Sequence, residues 1–304
     1  MRNRFVEHLV NKAHEGQLEK TFILTGDLGF SVLEPLQKLL KDRFVNVGIN
    51  ESLMASAAAG ISSEGYKVFI YSIAPFTTFR CLEQIRNDIC YHNVDVTVVG
   101  IGAGYGYGSL GPTHHAVEDL AALWALPNMK VFSPADIVQS DWCFEKNFHS
   151  AGPSYLRLGK GREGELCSKE QMINDGIWEI GEGSDFTIIT TGHILEEGLK
   201  LSSLLKNKGL SPQVLSVAVL KPFPVETLTS AIKSKKIIVL EEMSPYGSFS
   251  SHVAKVILSK GMKIDVFRAF STQDQFAKVV GSAKFQRKQQ MLDAESIFNR
   301  IINI

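Results

Sequence analysis

The chain reads as an α/β protein of two doubly wound domains, the second smaller than the first. Three observations carry this. Short β-branched runs alternate with helix-length stretches along the chain, the pattern of mainly parallel sheets flanked by helices. A length of 304 residues is enough for about two domains of ordinary size. The alternation is interrupted at Gly159-Lys160-Gly161-Arg162-Glu163-Gly164-Glu165, a polar, glycine-rich stretch of linker type. That interruption sets the expected domains at 1–165 and 166–304.

In the first unit, strands are expected at 21–25, 67–71, 94–99 and 129–132. Each is a run of the kind Thr21-Phe22-Ile23-Leu24-Thr25, rich in residues that suit a pleated, buried surface. Helices fit 51–64, 79–91, 116–125 and 135–149. Asn50 is suited to cap the first of these, and Glu51 then lies at the positive end of the helix dipole. Ser133-Pro134-Ala135-Asp136 is a second helix start, with proline near the first turn. In the second unit, strands at 186–191, 213–217, 236–240 and 263–267 alternate with helices at 194–207, 224–234 and 249–260. There is no internal repeat and no low-complexity segment, so neither a solenoid nor a tail is indicated.

Composition excludes several function classes. Hydrophobic residues make up 44% and charged residues 21%, the balance of a globular protein. Lys plus Arg equals Asp plus Glu, 32 each, so no global field favours nucleic acid or an anionic membrane. No apolar run reaches the roughly 18–20 residues that span a bilayer, and Met1-Arg2-Asn3-Arg4-Phe5-Val6-Glu7-His8 lacks the apolar core of a signal peptide. A cytoplasmic protein with no nucleic-acid or membrane partner is expected. The cysteines, Cys81, Cys90, Cys143 and Cys167, are widely spaced with no Cys-x-x-Cys pair, which reads as reduced thiols in the cores and no metal site.

The chemistry concentrates in two segments. Gly102-Ala103-Gly104-Tyr105-Gly106 opens a loop that ends Gly111-Pro112-Thr113-His114-His115. Bare glycines let backbone approach a flat ligand, Pro112 stiffens the turn and two imidazoles follow. About sixty residues upstream, Gly48-Ile49-Asn50-Glu51 places a carboxylate at the opening of the small-residue run Met54-Ala55-Ser56-Ala57-Ala58-Ala59-Gly60. Taken alone, an acidic residue in a first helical turn is explained by a few tenths of a kcal/mol of dipole stabilisation. Phe76 and Phe79, three apart, are equally explained as core residues at helical spacing. Gly106-Tyr107-Gly108-Ser109-Leu110-Gly111 matches the dinucleotide fingerprint but runs into Pro112-Thr113-His114-His115, a poor helix opening for a pyrophosphate.

Five segments in order resemble the pyrimidine-binding domain of transketolases and the related deoxyxylulose-phosphate synthases. They are Arg43 to Glu51, Ala58 to Lys67, Gly111 to Leu120, Ala125 to Asp136 and Gly152 to Tyr155. The second half resembles the C-terminal domain of the same family. The resemblance implies thiamine diphosphate as cofactor, with Glu51 hydrogen-bonded to N1′ of the aminopyrimidine so that the 4′ nitrogen becomes a competent base. It implies pyrimidine contacts from Ile73, Phe76 and Phe79, a cofactor contact from Asp27, and a catalytic His114 near the thiazolium that also meets substrate. Ser31 and Lys160 stand at positions that bind a sugar phosphate. Departures are Ile73 for an aromatic ring, Lys160 for arginine, Leu110 for an acid, Gly102 for histidine and His115 for glutamine. Leu110 and Gly102 imply altered recognition of substrate hydroxyls or phosphate, and His115 is assigned no role.

The family holds the diphosphate through a divalent metal with Gly-Asp-Gly followed 25 to 30 residues later by Asn-Asn. Here Gly26-Asp27-Leu28 lacks the second glycine and no such pair follows. The implied function is the C-terminal subunit of a split transketolase, moving a two-carbon ketol unit between sugar phosphates. Its partner would be an N-terminal subunit that holds Mg or Ca and the diphosphate, two copies of each forming a heterotetramer around a self-dimer. The alternatives are the β subunit of a 2-oxo acid dehydrogenase or a decarboxylating synthase, and a non-catalytic scaffold or regulatory subunit.

Overall fold

The structure, a computed structural model, describes residues 1–161 and 163–302; Arg162, within the expected linker, lies outside them. The first half supplies β1 (Thr21–Thr25), β2 (Phe44–Asn46), β3 (Lys67–Ile73), β4 (Val96–Ile101), β5 (Lys130–Phe132) and β6 (Ser154–Leu158). The second half supplies β7 (Met172–Asn174), β8 (Ile177–Glu182), β9 (Phe186–Thr190), β10 (Pro212–Val217), β11 (Val219–Lys221), β12 (Lys236–Leu240) and β13 (Val266–Phe270). One sheet runs β11-β5-β6-β4-β3-β1-β2 and is parallel except at β11. The other runs β13-β12-β9-β10-β8-β7, parallel over its first four strands and antiparallel at β8 and β7. The expected α/β architecture of two sheets is what the chain adopts, with one strand of the second half, β11, completing the edge of the first sheet.

Helices cover both faces of the first sheet, so its central strands carry apolar side chains on both sides. Every residue of β4 is buried. Its one hydroxyl, Thr97, bonds Asn147 at 3.1 Å and Ser154 at 2.9 Å, which satisfies the polar group inside the core. On one face the helix Glu51–Ser63 buries Met54, Ala55, Ala58 and Ala59 against β1 and β3, its small residues permitting close approach. On the other, an N-terminal helix Arg2–His14 inserts Phe5 among Phe69, Tyr71 and Phe144 at ring separations of 5.8 to 6.2 Å.

Two expected elements differ most from the structure, and the strands β2, β6, β7, β8 and β11 and the helix Arg2–His14 have no counterpart among the expected ones. The segment expected as one helix over 79–91 is instead a helix Ala74–Thr78, a 3-10 turn Phe79–Cys81, a short α turn and a π turn Ile85–Tyr91. Thr77 and Thr78 both donate their hydroxyls back to the Ala74 carbonyl, at 3.3 and 2.8 Å, a back-bonding that competes with regular helix propagation. The last strand lies three residues later than expected: Asp265 N–H donates to the Lys235 carbonyl at 2.9 Å, and pairing begins with Val266 opposite Lys236. All four cysteines are buried and unpaired, as expected.

In the first sheet β1 is followed on one side by β2 and flanked on the other by β3. The strand order reverses there, and the crevice expected at the carboxyl ends of β1 and β3 is the place where open α/β sheets bind ligands.

Candidate active site

Glu51 opens its helix beside this crevice. Asn50 Oδ1 accepts the Leu53 N–H at 3.0 Å, the N-cap expected from sequence, and so fixes where the helix begins. The Glu51 side chain is only 3% exposed, and its Oε2 accepts from Arg80 Nη1 at 3.1 Å. The Arg80 guanidinium lies 4.4 Å from the centre of the Phe76 ring. Phe76 in turn meets His114 edge-on at 5.1 Å, and His114 Nδ1 is 3.0 Å from Thr113 Oγ1. Tyr107 lies 6.3 Å from the His114 ring and carries Lys160 Nζ 4.8 Å above its own ring. A continuous row of contacts thus runs from Glu51 to Lys160.

The loop that bears His114 is pinned from three directions. Gly102 and Ala103 both donate to the Leu158 carbonyl, at 2.9 and 3.1 Å, and Gly104 pairs with Ala116 to close the loop's neck. From β6, Arg157 donates to the Ala116 carbonyl and pairs with Asp119 at 2.9 Å. From the second sheet, Glu242 Oε2 accepts the Tyr105 N–H at 3.3 Å while Arg287 Nε holds Glu242 Oε1 at 2.8 Å. Behind the fingerprint-like glycines stand two 3-10 turns, Gly108–Leu110 and Pro112–His114, with no long helix to receive a pyrophosphate. His115 points inward, its Nε2 3.3 Å from the Gly108 carbonyl, and is a structural residue of the loop.

Electrostatics separate the groups. Burial lowers the His114 pKa and the Arg80 charge lowers it further, so its imidazole is neutral near pH 7 and can accept a proton. The Cys81 thiol is pushed up to about 12 by burial and by the Glu51 carboxylate, which leaves it inert.

Of the residues singled out in sequence, Glu51, Phe76 and His114 converge, and Lys160 reaches them through Tyr107. Ile73 ends β3, paired with Ile101, and leads directly into the turn bearing Phe76. Phe79 stays 42% exposed at the same turn. Asp27, at φ +55°, is tied to Asn46 by two hydrogen bonds of 2.9 and 3.1 Å in the β1 and β2 loops. Ser31, in an exposed turn, donates its N–H to Glu34 Oε1 at 2.7 Å, and strands β3 and β4 separate its loop from that of Lys160. Arg80 and Tyr107 were not singled out. Arg80 follows Phe79 directly, but nothing in the local pattern pairs it with a carboxylate 29 residues away.

The residues present fit the aminopyrimidine half of thiamine diphosphate. A buried carboxylate and an aromatic face are bridged by the Arg80 guanidinium, and Gly26 leaves bare backbone beside the carboxylate. A methyl group added at Gly26 would lie 3.7 Å from Glu51 Oε1. Among the described residues no cluster of His, Cys, Asp or Glu is placed to hold a metal ion, and no helix is long and apolar enough to cross a membrane.

Comparison with known proteins identifies the two domains. Residues 4–163 match the model of the transketolase pyrimidine-binding domain and residues 178–297 that of the transketolase C-terminal domain. One of the subunits of the apulose-4-phosphate transketolase of Actinobacillus succinogenes is 28% identical, with 99% of this chain and 97% of that protein covered. A chain of Methanocaldococcus jannaschii, provisionally named a transketolase C-terminal section, is 32% identical over 99% of this chain and 95% of its own length. Among solved structures, a split-gene transketolase described as an inactive β4 tetramer superposes with a TM-score of 0.88 at 30% identity, covering 99% of this chain and 97% of that one. The chain belongs to the transketolase family of transferases, of which it carries the pyrimidine-binding and C-terminal domains.

Proposed function

We propose that this chain is the C-terminal subunit of a split, thiamine-diphosphate-dependent transketolase that transfers a two-carbon ketol unit from a ketose phosphate to an aldehyde. The observation that carries the reading is the buried Glu51 carboxylate joined to the Phe76 ring through the Arg80 guanidinium, beside the carboxyl end of β1. When bound, thiamine diphosphate supplies the nucleophilic carbon on which such carbon–carbon cleavage depends. Residues 1–165 provide the pyrimidine site and 166–304 brace it.

Glu51 holds a proton at N1′ of the aminopyrimidine, a task suited to a carboxyl shielded from water. Phe76 and Phe79 flank the pyrimidine, Ile73 gives an aliphatic wall, and Asp27 orders the backbone next to Gly26. His114, neutral at working pH, accepts and returns a proton at the substrate hydroxyl. Lys160 and Ser31 anchor the substrate phosphate. Lys160 does so as a point charge without the bidentate fork of arginine.

A separate N-terminal subunit holds Mg or Ca and the diphosphate. Two copies of each chain form a heterotetramer with a self-dimer of this chain at its centre, working in the cytoplasm. The test is Glu51→Gln in the assembled enzyme. Turnover should fall by about 100-fold or more while circular dichroism and assembly stay unchanged; near-normal turnover would reject the assignment.

A further inference from the structure

Arg80 touches the two residues on which the coenzyme half-site depends. Its Nη1 donates to Glu51 Oε2 at 3.1 Å while its guanidinium lies 4.4 Å from the centre of the Phe76 ring. A guanidinium is planar, so it can lie over a ring and present an edge to a carboxylate at once. An aminopyrimidine is also planar and asks for the same two contacts, a hydrogen bond to the carboxylate and a ring face to lie on. A pyrimidine that bonds Glu51 Oε2 and lies on the ring face covered by the guanidinium competes with Arg80 for both.

Mobility is unequally divided. Glu51 sits in the first turn of a capped helix with its side chain 3% exposed, whereas the Arg80 side chain is 50% exposed and has water to move into. The Arg80 backbone is tied, its carbonyl accepting Ser52 Oγ at 2.9 Å, so the side chain would move alone. Without a partner a buried carboxylate is costly, and Arg80 supplies that partner before any ligand arrives.

We infer that Arg80 is a placeholder that occupies the pyrimidine half-site of the chain and must leave Glu51 and Phe76 when the coenzyme enters. This rests on the reading of Glu51 and Phe76 as pyrimidine-binding residues. It adds a competitor built into the same chain, which keeps the half-site closed to partial ligands until a complete coenzyme can displace it.

The probe is thiamine, which carries the aminopyrimidine but no diphosphate and so does not call on a partner subunit. Its affinity for the full-length chain is measured by ligand-observed NMR for the native protein, Arg80→Ala and Arg80→Lys, with circular dichroism to check the fold. Arg80→Ala should bind thiamine about ten-fold more tightly, about 1.4 kcal/mol, and Arg80→Lys should fall between, since it keeps charge but loses the flat fork. Equal, weaker or absent binding by Arg80→Ala overturns the placeholder. Adding Glu51→Gln and, separately, Phe76→Ala distinguishes the two failures. Native binding that depends on Glu51 and Phe76 without any gain from Arg80→Ala sinks the placeholder alone. A gain that survives both substitutions sinks the reading of the site beneath it as well.

Discussion

Asp119 and Arg157 face each other at 2.9 Å with both side chains buried, and Arg157 also holds the Ala116 carbonyl of the loop that carries His114. Tyr155 adds a third donor, its hydroxyl 2.6 Å from Asp119 Oδ2. A charge pair in the interior is costly to assemble but more costly to break, because removal of one partner strands the other. Asp119→Ala should therefore lower the unfolding free energy by about 3–5 kcal/mol. Urea denaturation with an unchanged m-value is the measurement. A loss under about 1 kcal/mol would mean that Arg157 finds another partner.

Gly104 is the second fixed point of that loop. It has φ +58°, and a methyl group there would collide with the Glu242 carboxylate arriving from the second sheet. Gly104→Ala should cost more than the roughly 1 kcal/mol of left-handed strain alone. Combining it with Glu242→Ala should recover the steric part while leaving the strain. Thermal unfolding of the single and double variants checks this, and simple addition of the two losses would contradict it.

The strands that could be read from sequence are those whose residues explain themselves. Thr21–Thr25, buried apart from the half-buried Phe22, and Val96–Ile101, expected at 94–99 and buried throughout, need no distant partner to be recognised. Ser154–Leu158 hides behind Arg157, whose charge makes sense in a central strand only once Asp119, 38 residues away, is set against it. Val219–Lys221 is short, and only its pairing with Lys130–Phe132 makes it a strand of the first sheet. The same limit applies at the site. Glu51 and His114 enter the proposed site through the family resemblance of the segments around them, whereas Arg80, Tyr107 and Glu242 gain their meaning from contacts across the fold.

The depressed pKa of His114 sets a pH dependence. Its first cause is burial and its second the Arg80 charge, both favouring the neutral ring. If neutral His114 accepts a proton, the acid limb of kcat/KM for the assembled enzyme should fall below the ordinary histidine value of about 6.5. In the coenzyme-free chain, Arg80→Gln removes a positive neighbour and should move the His114 titration, followed by NMR, upward. A titration that moves down, or an acid limb that survives His114→Ala, would contradict the role.

His193, in the cleft between the two sheets, should govern acid stability. Burial lowers its pKa to about 4, with Glu163 opposing the shift, and its Nε2 has no hydrogen-bond partner among the described residues. The unfolded chain, with histidine near 6.5, binds more protons between these values. Stability from this group is thus present above about pH 6.5 and lost as pH falls toward 4, on the order of 3 kcal/mol at most. His193→Gln should flatten the decline in unfolding free energy over that window; an unchanged slope would contradict the assignment.

The central claim is that this chain furnishes half of a coenzyme site and needs a second chain for the rest. Calorimetric titration of thiamine diphosphate with Mg into this chain, into its N-terminal partner and into their mixture tests it most directly. Tight, metal-dependent binding should appear only in the mixture and weaken when Phe76 is replaced by alanine. Tight, metal-dependent binding by this chain alone would contradict the claim.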